Sequence, residues 1–329
     1  MKLGLVLGAG GTVGMAYHAG VLRALEQVGG ITPDDADLVI GTSAGSVVGA
    51  YMRAGWTPED MWNLALGTHP SYDGLSMEEI DERNRGILAP AFSHPVDLVR
   101  RGIGSAYVAT RSFMRIPPAA LRALPRVPGF LTRAFPGGLF AMEEGQRRFA
   151  EELPVSWPEK PLYLVAFDIE RGRRVVLGRP GRAPLASLQK AVLASCAIPG
   201  VYPPVKIGRL TLADGGVYST TNLDVAAKDG CDVIIGIAPM AYDTAGPLPA
   251  AVSRLIRHVP ARMLVNEMAE ARSRGSEVLL LRPSAGELRI QGPNMMRRHG
   301  WDLVARAAYE HTARTLETDR FRAVLGHAA

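Results

Sequence analysis

Cysteine is nearly absent: Cys196 and Cys231 are the only two in 329 residues. Two isolated thiols provide no disulfide framework, and a reducing, cytoplasmic setting is expected. No Cys/His cluster falls at metal-ligand spacing, so neither a structural zinc site nor any other metal or cofactor is implied. Also missing is any run of about 18 apolar residues free of charge and Gly/Pro interruption, which excludes a spanning helix from the expectations. Leu3–Leu7 behind Lys2 mimics the apolar part of an export signal. The glycine-rich stretch that follows continues a strand into a loop better than it continues a helix. Lysine is scarce as well, and arginine carries most of a net charge of +5 with a pI near 9.3. That balance fits phosphate-bearing partners or plain genome composition equally well.

What is present is an ordinary globular composition, 47% hydrophobic and 21% charged, in a chain long enough for one large domain with an elaborated cap. Residues 3–8 read as a buried strand and 15–28 as a helix with Val21, Leu22, Leu25 and Val28 on one face. A second strand at 37–41 and a helix at 44–54 follow, with Pro58 opening the next helix. This alternation predicts βαβ units and an α/β fold around a parallel sheet. Further strands are expected at 161–168, 173–178, 232–238 and 277–282, and further helices at 184–194, 249–273 and 300–325. Residues 68–140, rich in Pro, Arg and scattered aromatics, break the rhythm and read as a mostly helical insertion over the active site.

Three glycine motifs stand at the ends of these strands. The first is Gly41-Thr42-Ser43-Ala44-Gly45, a G-x-S-x-G pattern between an apolar strand and a small-residue helix. Small neighbours let the backbone turn tightly enough to push the Ser43 hydroxyl out as a nucleophile. The second is Gly8-Ala9-Gly10-Gly11-Thr12-Val13-Gly14, where Gly10 and Gly11 leave room for a carbonyl oxygen to meet their amides. The loop also opens a helix, whose N-terminal partial charge favours a developing anion. A dinucleotide fingerprint fits this loop poorly: the third glycine is one residue late, and the second strand lacks the terminal acid that would hold a ribose. The third motif is Asp214-Gly215-Gly216. No histidine occupies a convincing loop position, since His258, His299 and His311 lie in helical, arginine-rich contexts. Asp214, desolvated and bonded to the hydroxyl, is therefore the expected base, making Ser43–Asp214 a dyad.

These pieces, together with Met15–Leu22 and Ala194–Pro204, resemble the bacterial patatin-like phospholipases, a family of lipid acyl hydrolases. The likeness covers residues 3–54 and about 160–240. It implies a single domain over 1–329 with a three-layer α/β fold, a mainly parallel central sheet, a helical cap at about 68–140 and a C-terminal helical region at about 249–329. It implies oxyanion donors at Gly10, Gly11 and Thr12, and an acyl pocket bordered by Ile198, Val201 and Tyr202. Cys196, in the same segment, reads as a small buried residue. Fatty-acyl lipid is the implied substrate, and oligomeric state stays open. Three features depart from the family pattern: Val13 stands where an arginine is usual, Ala9 where the loop's first glycine is usual, and Asn222-Leu223 near where a proline often follows the Asp-Gly-Gly turn. The other function classes are a Rossmann-like nucleotide binder and a catalytically silent lipid-binding relative.

Between Val96 and Pro136, Asp97 faces Arg100, Arg101, Arg111, Arg115, Arg122, Arg126 and Arg133, with Phe113, Phe130 and Phe135 interleaved. Such a segment is either a solvated face of the cap or a peripheral surface for anionic membrane. No recognition motif accompanies the arginines, so nucleic acid is not an expected partner.

Overall fold

The computed structural model describes residues 1–75, 79, 88–113, 134–181, 184–242, 251–318 and 321. Its strands are β1 Leu3–Leu7, β2 Leu38–Thr42, β3 Leu162–Asp168, β4 Arg173–Leu177, β5 Val205–Ile207, β6 Leu210–Asp214, β7 Val233–Ile237 and β8 Glu277–Leu281. The chain divides into two compact units. One comprises Met1–Asp73, Pro158–Tyr163 and Ser219–Ala329, the other Gly74–Trp157 and Leu164–Tyr218.

In the first unit β1 lies between β2 and β7, and β8 pairs with β7, all parallel. Every residue of β1, β2 and β7 is buried, as apolar strands covered by helices on both faces require. Leu7 is level with Gly41 on one side and Ile237 on the other, so three strand ends open at one edge. The helix after β1 runs Gly11–Gln27, four residues earlier than its apolar face predicts. Val21, Leu22 and Leu25 are buried as expected, whereas Val28 is 42% exposed because the helix has ended before it. The helix Trp301–Leu316 packs along Gly11–Gln27, where Gly20 lets the backbone of Ala305 approach. Helix Pro58–Leu66 starts at a capping box: the Thr57 hydroxyl accepts from Asp60 N–H at 3.1 Å while Asp60 accepts from Thr57 N–H at 2.7 Å.

The second unit is antiparallel: β6 pairs with β3 and β5, and β4 pairs with β3. A cluster of Val108, Phe167, Ile169 and Ala213 joins these strands to the helix Pro95–Phe113. One expectation fails here. Arg111 does not face solvent with the other arginines: it is 6% exposed. Its guanidinium donates to Ile169 O and Glu170 O, each at 3.2 Å, and lies 3.6 Å from the Glu170 carboxylate. It sits on the inward face of a helix whose outward face carries Val96, Val99 and Ile103. Arg115, Arg122, Arg126, Arg133 and Phe130 lie outside the described residues. Among the described residues no helix is long and apolar enough to cross a membrane.

Candidate active site

Ser43 follows β2 and precedes the helix Ala44–Arg53 with φ 53° and ψ −118°. Only one other described non-glycine residue, Asn222, has positive φ. Such a conformation is costly for a side-chain-bearing residue and persists only where its surroundings enforce it. Here both flanking glycines do so. A Cβ on Gly41 would lie 2.6 Å from Gly45 O and from Ser46 Cα, and one on Gly45 would run into Leu7 O. The elbow is therefore closed against β1 by backbone contact, a packing that larger residues would prevent. Ser43 itself is 5% exposed.

The neighbouring strand end carries the glycine loop. Gly8 N–H donates to Ile237 O at 2.9 Å and Ala9 N–H to Thr220 O at 2.7 Å. Gly11 has φ +57°, and a Cβ there would strike Met295 O, so glycine is required twice over. Beyond it Val13 N–H donates to Met295 O at 3.0 Å, and the Thr12 hydroxyl donates to Arg297 O at 2.9 Å. The backbone amides of Gly10, Gly11 and Thr12 have no backbone acceptor among the described residues. They are the first donors of a helix without a side-chain cap, the groups that bind anions at helix N-termini. Val13, at the family's usual arginine position, is fully buried, and Ala9 is nearly so.

Two supports of this site escaped the sequence reading. His18 is fully buried, its Nε2 2.8 Å from Gly8 O and its Nδ1 without a partner among the described residues. Burial pulls its pKa down to about 4, only partly offset by the bond to Gly8, so the ring is neutral behind the loop. Its spacing from Val21, Leu22 and Leu25 already places it on the buried helix face. Asn222, with φ 57°, donates to Thr42 Oγ1 at 3.1 Å and to Ser219 O at 2.6 Å. It ties the loop that receives Ala9 to the residue before Ser43, and Asn is among the side chains that tolerate left-handed backbone. His258 and His299 are exposed, and His311 lies 3.8 Å from Glu287.

In the second unit Asp214 closes β6, with the carboxylate accepting from Gly216 N–H at 2.7 Å. Its own N–H donates to Ala197 O at 2.9 Å. A Cβ on Gly215 would collide with Val165 O, so this turn is also closed by backbone contact. Asp214 is 4% exposed. The Cys196 thiol is pushed well above its ordinary range, first by burial and then by the negative charge of Asp214. By accessibility Cys196 is half-buried, where a buried residue is expected from the sequence. Ile198 and Val201 are half-buried, and Tyr202 is buried with its phenol held up by burial and by Cys196.

A strained serine between a strand and a helix, beside a glycine loop that opens a second helix, has the strand–turn–helix geometry of an elbow in an α/β fold. The family model described as patatin-like phospholipase matches residues 5–227, and the chain belongs to that family. Solved structures that the chain matches include VipD from Legionella pneumophila, at 14% identity and TM-score 0.42, covering 96% of this chain and 66% of that one. The type III effector ExoU matches at 15% identity and TM-score 0.39, over 96% of this chain and 53% of its own. ExoU in complex with SpcU from Pseudomonas aeruginosa matches at 16% identity and TM-score 0.35, over 96% and 51%. This chain thus spans about half to two thirds of the length of those proteins.

Proposed function

We propose that the chain hydrolyses fatty-acyl esters of lipids through an acyl-serine at Ser43. The observation that carries this reading is the strained Ser43 backbone beside a loop with amides that have no backbone acceptor. Ser43 Oγ attacks the ester carbonyl while its proton passes to the Asp214 carboxylate. The tetrahedral oxyanion accepts from the amides of Gly10, Gly11 and Thr12. As the intermediate collapses, the ester C–O bond breaks and the departing alcohol takes the proton from Asp214. Water then attacks the acyl-serine, with Asp214 accepting its proton and returning one to Ser43. Each oxyanion donor contributes roughly 3 kcal/mol of transition-state stabilisation. Ile198, Val201 and Tyr202 border the acyl chain, and Arg100 and Arg101 meet an anionic membrane surface from the cap.

Fluorophosphonate labelling with peptide mapping, run beside a lipid panel with product mass analysis, tests the reading. Labelling confined to the Ser43 peptide together with fatty-acid release supports it. An unlabelled protein that binds a nicotinamide or flavin dinucleotide would instead be a nucleotide binder. An unlabelled protein that binds lipid without cleaving it would be a silent relative.

A further inference from the structure

Among the described residues Arg257 is the largest fully buried side chain, at 1% exposure. A guanidinium is seldom buried without a carboxylate, because desolvation penalises the charge. Yet among the described residues Arg257 has no acidic partner. It donates instead to three neutral acceptors: Pro239 O, Gln291 Oε1 at 2.7 Å and Met295 Sδ at 3.1 Å. Gln291 is fully buried too, and among the described residues its Nε2 has no partner, so the arginine is what holds that amide.

Each of the three acceptors leads to the glycine loop. The ring of Pro239 lies where a Cβ on Gly10 would be, 2.9 Å away. Gln291 O accepts from Arg297 Nε at 3.4 Å, and Arg297 also donates to Ile290 O and His299 O. The stretch so folded presents Met295 O to Val13 N–H and Arg297 O to the Thr12 hydroxyl. These contacts take up the donors just beyond Gly10 and Gly11 and hold the start of the helix in register.

We propose that Arg257 is a positioning residue for the oxyanion loop, acting through Pro239, Gln291 and Met295. Its catalytic meaning rests on the acyl-hydrolase reading, whereas the brace itself does not. All these groups lie beyond residue 227, where the family match ends.

The test combines steady-state kinetics on a soluble short-chain ester with hydrogen exchange of the peptide around Val13. Arg257→Met keeps volume and removes the fork. It is expected to lower kcat by about 10–100-fold with little change in KM, as small misplacements of catalytic groups do. Exchange at Val13 should rise while β7 and β8 keep their protection. Gln291→Glu, which keeps the acceptor and adds a counter-charge, should retain wild-type kcat and protection. Unchanged kcat and Val13 exchange in Arg257→Met would overturn the proposal, as would a kcat loss accompanied by equal loosening of β7 and β8. If Arg257→Met does not fold, Thr12→Val releases the brace from the loop side and must show the same kcat loss and faster Val13 exchange; wild-type values there overturn it. A wild-type protein with no ester turnover and no Ser43 labelling defeats the hydrolase reading alone, and the exchange comparison then decides the brace by itself.

Discussion

Ser43 in the first unit and Asp214 in the second both stand where a strand ends, but their neighbours reach over different distances. The elbow is tied through Thr42 to Asn222, 180 residues away, and the glycine loop through Thr12 to Arg297, 285 residues away. Asp214 is held by a two-residue turn, its carboxylate on Gly216 N–H, with Ala197 and Val165 from the same unit behind it. The parallel unit needs long connections to bring its strand ends together, so its site is assembled from remote segments. The antiparallel unit turns back on itself, and a local turn orients its carboxylate. Strain follows the same division: both described non-glycine residues with positive φ belong to the first unit.

The sharpest way to break this comparison is to remove the two reacting groups. Ser43→Ala and Asp214→Asn should each lower ester turnover by roughly 10³-fold or more, with thermal unfolding unchanged. Near-wild-type turnover in both variants would dissolve the dyad. Next in size, Gly45→Val should destabilise the protein by about 4 kcal/mol, because its side chain must enter the space of Leu7 O. A urea midpoint equal to wild type would show that the elbow is not closed against β1. In the second unit Arg111→Met breaks a buried pair with Glu170 and should cost about 3 kcal/mol. It should leave liposome binding untouched, which separates this arginine from those on the surface.

A smaller effect sharpens the contrast through pH. His18 has a folded pKa of about 4, below its ordinary 6.5, so the unfolded chain binds the proton more readily. Stability is therefore full above the unfolded value and falls as pH drops from about 6.5 towards 4. The loss between pH 7 and pH 5 should be about 2 kcal/mol. His18→Gln, which can still donate to Gly8 O, should flatten that part of the profile in denaturant titrations; an unaltered slope would assign it elsewhere. The last effect belongs to the cap and is comparable in size. Arg100→Glu with Arg101→Glu should weaken sedimentation with anionic liposomes by about 1 kcal/mol or more per residue, more so at low salt. Equal sedimentation would make these arginines a solvated face.

Much of this was legible from the sequence because it is local. Strands expected at 3–8, 37–41, 161–168, 173–178, 232–238 and 277–282 appear with ends shifted by a residue or so. Their apolar runs and glycine endings carry the information within a few positions. The short β5 and the helix Glu143–Glu152 were not anticipated. One is too brief for periodicity, and the other has no buried residue to make an apolar stripe. The helix Ala285–Gln291 was also missed, although Ser284 and Glu287 form a capping box that announces it.

By itself the sequence determined the α/β rhythm, the elbow around Ser43, the glycine loop and the turn after Asp214, since each depends on residues within a few positions of one another. Only the tertiary structure decided that Arg111 turns inward, that His18 lies neutral behind Gly8, and that Pro239 and Met295, both bonded by Arg257, stand against the glycine loop. Those outcomes depend on which groups meet in the folded chain, at separations from 10 residues for His18 and Gly8 to 285 for Thr12 and Arg297. Burial then decides charge and orientation there, through desolvation that no local pattern records.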